Sequence, residues 1–218
     1  VAKGEYADSE ALLAAPFVAD ASVTVKEALD GVIATTGENM GLGKFAKMEL
    51  AAGKSGLIGG YLHSNGKLAV LVEMQTGSDA AAASEAFHEV AKNVAMQIAA
   101  MNPAYLDKSE VDQATLDKEK EIQLAQMAND PKTANKPDAI KEKMAIGKLG
   151  KFYKENCLVD QEFVKAENHE NVQTYINNVA KALGTEIKCT GFVRMMKGEG
   201  LEKREENFAE EIAKQING

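Results

Sequence analysis

Two residues beside a sharp turn hold the clearest chemical potential. His63 closes the run Gly60-Tyr61-Leu62-His63, and Glu73 interrupts the apolar run Leu71-Val72-Glu73-Met74. An imidazole and a carboxylate held together could pass a proton to and from a substrate, which would make a small acid–base enzyme. Their nearness on one hairpin is the only support for that pairing. Strand alternation equally lets Glu73 point outward, and a His at the shoulder of a turn is ordinarily just exposed. Cys157 and Cys189 are far apart, and His63, His88 and His169 are scattered, so neither a disulfide framework nor a zinc site is expected. A thiol nucleophile would need a His brought beside it by folding. Gly41-Leu42-Gly43-Lys44 and Lys197-Gly198-Glu199-Gly200 lack the length and the Gly-Lys-Ser/Thr ending of a phosphate-binding loop, and read as turns. Runs such as Lys118-Glu119-Lys120-Glu121 read as solvated helix faces. The residues themselves therefore assign no catalytic group, no cofactor and no metal.

The elements that must position these residues belong to a chain of 218 residues with 45% hydrophobic and 27% charged residues, enough for a real core. A net charge of −8 argues against a nucleic-acid or anionic-membrane partner, since phosphates demand a basic surface. No apolar run approaches the roughly 18–20 residues of a membrane span, and the N-terminus lacks the pattern of a signal peptide. Because it opens on Val1 in what looks like the end of a helix, the chain reads as a fragment or a processed form.

Residues 1–36 read as helical with breaks. Ser9 is placed to cap a short turn through Leu12 and Leu13, and Pro16 stops it. Thr24-Val25-Lys26-Glu27 has capping-box spacing. Val25, Ala28, Leu29, Val32 and Ile33 then share one helix face, and Gly37 ends the helix. Strands are expected at Leu42–Ala51, Leu57–Leu62 and Leu68–Met74. The last two flank Ser64-Asn65-Gly66-Lys67, where Asn-Gly is a strong hairpin signal because both residues tolerate positive φ. Ser84–Met101 reads as a long helix whose face of Phe87, Val90, Ala91, Val94, Ala95, Ile98 and Ala99 should lie on this sheet; Asn102-Pro103 ends it. Two charged helices, about Gln113–Ala128 and Pro137–Asn156, are joined by an eight-residue loop and predict an antiparallel helical hairpin. Its expected seam is Leu116, Ile122, Leu124, Met127, Ile140, Met144, Leu149 and Phe152, which serves either as its core or as a self-association surface. Asn171–Leu183 reads as a helix closed by Gly184, Thr185–Met196 as a strand, and Phe208, Ile212 and Ile216 as marking a final short helix. The class is α+β, a mostly antiparallel sheet with flanking helices.

Taken in order, these segments resemble the bacterial elongation factor Ts family. The resemblance rests on Thr36-Gly37-Glu38-Asn39-Met40, on Gly60-Tyr61-Leu62-His63 followed by Lys67-Leu68-Ala69-Val70-Leu71-Val72, and on Gln97-Ile98-Ala99-Ala100-Met101-Asn102-Pro103. It continues through Lys141–Phe152 and through Thr190-Gly191-Phe192-Val193-Arg194 with Gly198-Glu199-Gly200-Leu201-Glu202-Lys203. The resemblance implies a core of two related α+β halves, an inserted helical hairpin and a C-terminal helix. On that layout residues 1–51 end the first half, 52–112 begin the second, 113–156 are the helical hairpin, 157–200 complete the second half, and 201–218 form the last helix. The family's ubiquitin-associated-like N-terminal module and its Thr-Asp-Phe-Val strand would be absent.

The implied role is guanine-nucleotide exchange on elongation factor Tu, bound in its GDP or nucleotide-free form, in the bacterial cytoplasm and without covalent catalysis. The resemblance implies that Thr36, Gly37, Glu38, Asn39 and His63 grip a helix of the GTPase domain, with Thr36 standing where the family usually has Ile. It further implies that the last helix docks there through Phe208 and Ile212. The helical hairpin would touch the same partner or a second copy of the chain. In the family, an Asp-Phe pair wedges near the magnesium site of the GTPase and lowers its affinity for GDP. Glu73-Met74-Gln75-Thr76-Gly77-Ser78-Asp79 echoes that motif, but no Phe follows Asp79, so it reads as the other copy of a duplicated unit. On this reading the chain alone exchanges poorly.

Overall fold

The computed structural model describes residues 4–199. Within them the chain runs α1 (Ser9–Ala14), β1 (Pro16–Phe17), β2 (Asp20–Thr24), α2 (Val25–Thr36), β3 (Ser55–His63), β4 (Leu68–Thr76), α3 (Asp79–Ala82), α4 (Glu85–Met101), α5 (Gln113–Asn129), α6 (Asp138–Asn156), α7 (Val172–Leu183) and β5 (Ile187–Met196). This is an α+β fold: a three-stranded antiparallel sheet in the order β3-β4-β5, a separate β1-β2 pair, and helices around them. The final helix expected around Phe208 and Ile212 lies outside the described residues.

The core forms where one face of the sheet meets α4. Val70, Val72 and Met74 alternate along β4 and are at most 1% exposed, as are Phe87, Val90, Ala91, Val94, Ala95 and Ile98 on α4. The period of two on the strand meets the period of 3.6 on the helix. Gly59 on β3 permits the close approach: a Cβ there would stand 3.2 Å from both Ala91 Cβ and Val72 Cγ1. Ser84 caps α4 by accepting from the Phe87 N–H, and Asn102 closes it in the left-handed conformation at φ 47.

The rest of the core is tied to α4 by buried polar groups. Gln97 Nε2 donates to Gln161 Oε1 and to the Glu162 carbonyl, and its Oε1 accepts from the Val164 N–H. Phe163 stacks on Tyr175 of α7 with ring centroids 4.2 Å apart, and Asn93 donates to the Tyr175 hydroxyl.

The helical hairpin of α5 and α6 leaves the body where Ala104 and Tyr105 donate to the Asn156 carbonyl and Leu158 donates back to Tyr105. Its turn is closed by Thr133, whose hydroxyl donates to the Met127 carbonyl. Met127 and Ala145 are buried in its seam, and Leu116, Leu124, Met144, Leu149 and Phe152 are half-buried. Ile122 and Ile140, expected in the seam, are exposed (42% and 46%), because two helices alone cover only one narrow stripe on each other.

Other departures are local. Asp8, not Ser9, caps α1: its carboxylate accepts from the Ala11 N–H. Leu42–Ala51 forms no strand. Its imperfect alternation instead lets a loop lie against the sheet, with Met48 Cε 3.5 Å from where a Cβ of Gly191 would stand. Between α1 and α2 the chain makes the short β1-β2 pair instead of a helical break, since Pro16 cannot extend a helix. Pro137 is the cap of α6 and not its first residue.

Candidate functional site

His63 is the last residue of β3, fully paired with Leu68 across the hairpin. Ser64, Asn65 and Gly66 all take positive φ (50, 55 and 81), so the turn carries one more left-handed residue than Asn-Gly alone requires. Lys67 closes it by donating to the Ser64 carbonyl at 3.2 Å. The imidazole is exposed, and its Nδ1 lies 3.0 Å from the Tyr61 hydroxyl. Tyr61 and His63 are two apart on one strand and therefore project from the same face. The phenol orients the ring while leaving the other nitrogen and the ring edge to solvent.

Glu73 does not join it. The register pairs Glu73 with Ile58 and His63 with Leu68. Five residues of strand, about 17 Å at 3.3 Å each, separate their rows. Tyr61 and His63 share the α4 face with Val70 and Leu68, whereas Glu73 lies on the opposite face, where its carboxylate accepts from Gln75 Nε2 at 2.7 Å. The acid–base pair is thus excluded by register.

The thiols offer no alternative nucleophile. Burial pushes Cys157 up to about 11 and Cys189 up to about 12, so both stay protonated near neutral pH. Among the described residues no group of three or more His, Cys, Asp or Glu is placed to hold a metal ion, and no helix is long and apolar enough to cross a membrane.

Thr36–Asn39 form the exposed end of α2. The helix begins with a full capping box: Thr24 accepts from the Glu27 N–H and Glu27 accepts from the Thr24 N–H. It ends at Gly37, left-handed at φ 71, whose N–H donates to the Ile33 carbonyl at 2.8 Å. The Thr36 hydroxyl turns back to the Val32 carbonyl and also accepts from the Glu38 N–H. No residue of α2 is fully buried: Val25, Ala28, Leu29 and Ile33 of the stripe read from the sequence are half-buried, and Val32 is 48% exposed. Among the described residues no hydrogen bond or groove links Thr36–Asn39 to His63. Both are open surface, and neither lines an enclosed cleft.

Asp79 opens α3, accepts from the Ser55 hydroxyl and is followed by Ala80–Ala82. It is exposed, and no Phe follows it. Phe208 and Ile212 lie outside the described residues. Tyr61, which orients His63, and Arg194, which shares its face of the sheet, were not singled out in the sequence. Cross-strand alternation was the signal that could have found them.

Comparison with known proteins completes the description. The family described as Elongation factor TS matches residues 1–199. The Elongation factor Ts of Clostridium kluyveri is 43% identical over 218 residues, covering 100% of this chain and 67% of that protein. That of Clostridium novyi is 42% identical over 217 residues with the same coverage. One from Clostridium botulinum is 45% identical over 197 residues, 90% of this chain and 61% of that protein.

Proposed function

The chain belongs to the elongation factor Ts family, and we propose that it serves translation elongation as a guanine-nucleotide exchange factor, promoting GDP release by binding the GTPase domain of elongation factor Tu. The single observation that carries this reading is the match of the family over residues 1–199, which holds all of the quoted motifs but the end of the last one. Exchange of this kind needs no covalent step. A protein that binds the nucleotide-free partner more tightly than the GDP-bound one must weaken GDP binding by the same factor, because the coupling is reciprocal.

We assign Thr36, Gly37, Glu38, Asn39 and His63 to the partner contact. Their exposure supports the assignment. Gly37 lets a partner approach the end of α2 closely, and His63 offers an apolar ring with a polar edge, already oriented by Tyr61. Asp79 receives no wedge role, since alanines and no Phe follow it. Phe208 and Ile212 are assigned to the same partner from the family resemblance. The exposed Ile122, Ile140 and Ile146 of the helical hairpin support a second use, self-association. Deleting residues 113–156 and measuring the mass in solution tests it: a mass per copy that already corresponds to a monomer before deletion refutes it. The cytoplasm is the compartment this role requires.

Binding of the chain to elongation factor Tu, followed with a fluorescent GDP analogue on the GTPase, tests the main reading. The chain should bind weakly and raise the rate of GDP release only slightly, and His63→Ala should weaken the binding further. Failure of the chain to bind either the GDP or the nucleotide-free form refutes the reading; binding unchanged by His63→Ala removes His63 from the contact.

A further inference from the structure

Tyr61 and His63 alternate on β3 and project from one face, at the end of the sheet where the chain turns. Their surroundings differ. Tyr61 is half-buried and packs against the core, and it stands opposite Val70, which is 1% exposed. His63 is exposed at the shoulder of the turn. The phenol body is therefore anchored, and its hydroxyl reaches the histidine from a fixed point. Tyr61 Oη lies 3.0 Å from His63 Nδ1, with the two ring centroids 5.9 Å apart. Among the described residues the His63 side chain makes no other hydrogen bond.

That contact decides which ring nitrogen carries the hydrogen. In a neutral imidazole one nitrogen is a donor and the other an acceptor. A phenol is a much stronger acid than the N–H of a neutral imidazole, so the shared proton stays on Oη and points at Nδ1. Nδ1 is then the acceptor, and the hydrogen of the ring stands on Nε2. A hydroxyl can also accept. If the ring gains a proton, Nδ1–H donates back to Tyr61 and Nε2–H is unchanged. In either charge state the nitrogen turned away from Tyr61 is a donor, and the exposed edge of His63 offers an N–H.

We infer that Tyr61 is a positioning residue that fixes His63 as a hydrogen-bond donor through Nε2, and that the elongation factor Tu surface received there presents a carbonyl oxygen. This rests on the exchange-factor reading and specifies what the His63 contact recognises. A lysine or arginine head, which can only donate, is excluded from that point. A net charge of −8 opposes the approach of a carboxylate, which leaves a neutral carbonyl as the acceptor. The phenol also restricts the imidazole before the partner arrives, so less side-chain freedom is lost on binding.

Two measurements on the whole chain test this. The first is nitrogen-15 NMR of the chain alone at about pH 8, where an ordinary imidazole is neutral. His63 should show a single tautomer with its hydrogen on Nε2, and Tyr61→Phe should move the Nδ1 resonance as its hydrogen bond is lost. An Nδ1–H tautomer, or an Nδ1 resonance that Tyr61→Phe leaves in place, would overturn the proposal. The second is binding to elongation factor Tu by NMR titration, which reads weak association. Tyr61→Phe, shown to be folded by thermal melting, should bind about 2–10-fold more weakly than the wild type; wild-type affinity would overturn the positioning role. His63→Gln puts an amide N–H near the place of Nε2, whereas His63→Asn puts it near Nδ1. His63→Gln should therefore bind about 2–10-fold more tightly than His63→Asn, a rescue that a merely structural role would not give. Equal or reversed affinities would overturn the proposal, and a gap well above 10-fold would mark a charged acceptor and overturn the carbonyl. These two variants decide the matter should Tyr61→Phe fail to fold. Failure of the wild-type chain to bind would refute the exchange-factor reading and the partner named here with it, whereas a wrong tautomer, read on the chain alone, would overturn this inference and leave that reading standing.

Discussion

Gln97→Leu should destabilise the fold by about 3 kcal/mol without touching the partner surface. Gln97 is fully buried, and its amide makes three hydrogen bonds, at 3.2 Å to Gln161 Oε1, 3.0 Å to the Glu162 carbonyl and 2.9 Å from the Val164 N–H. Leucine has nearly the same volume, so no large cavity opens. What is lost is the pairing of two backbone groups, each costing about 1–3 kcal/mol when left unsatisfied. Leucine returns roughly 1 kcal/mol through its greater apolarity. The net is about 1–5 kcal/mol, centred near 3. In urea, with a slope near 2 kcal/mol/M, the midpoint should fall by about 1.5 M at unchanged slope. Gln161→Leu breaks the same network, because Gln161 Nε2 also donates to the Glu155 carbonyl at 2.9 Å. The double variant should therefore lose less than the sum of the two single losses. A midpoint shift worth less than about 0.5 kcal/mol, or full additivity, would refute the claim that these amides form one satisfied network. Binding to elongation factor Tu, measured where all variants are folded, should not change.

The helix–sheet contact makes a second expectation: Gly59→Ala should cost about 1 kcal/mol by chemical denaturation, since the new methyl would stand 3.2 Å from Ala91 and Val72. The capping box at α2 has a pH signature. The Thr24 backbone N–H and then its hydroxyl hold Glu27 below its ordinary value of 4.5. A carboxylate depressed in the folded state stabilises fully above its unfolded value and stops doing so as pH falls through its folded value. Lowering the pH through and below 4.5 should therefore fray the start of α2 in NMR spectra of the wild type, and Glu27→Gln should remove that dependence. Cys157 and Cys189, raised to about 11 and about 12 by burial, should react slowly with a thiol reagent at pH 8 and fast once urea unfolds the chain; fast labelling of the native protein would contradict their burial.

Much of the fold was legible because it rests on local rules. Thr24 and Glu27 announced α2, Ser84 and Asn102 bracketed α4, and Gly37 and Gly184 closed their helices through the left-handed conformation that glycine adopts freely. Asn65-Gly66 marked the hairpin that puts His63 at its shoulder. Alternation along Leu68–Met74 and the helical period of Phe87–Ile98 named the two faces that meet in the core. The motifs that carry the family resemblance are likewise matters of residue order.

What the sequence left open was decided by partners distant along the chain. Leu42–Ala51 had some alternation but no neighbour to pair with, so it lies as a loop. Ile122 and Ile140 had helical spacing, but which stripe of α5 and α6 is covered depends on how the two helices rotate against each other, and both side chains turned outward. His63 and Glu73 looked like neighbours until the register of β3 and β4 put them on opposite faces and in separate rows. The same register brought Arg194, more than 130 residues from His63 in sequence, to the same end of the same face. Caps, turns and periods depend on a few consecutive residues, and the sequence holds them by itself. Register and the choice of which helix stripe is covered depend on long-range contacts, and only the tertiary structure chooses among them.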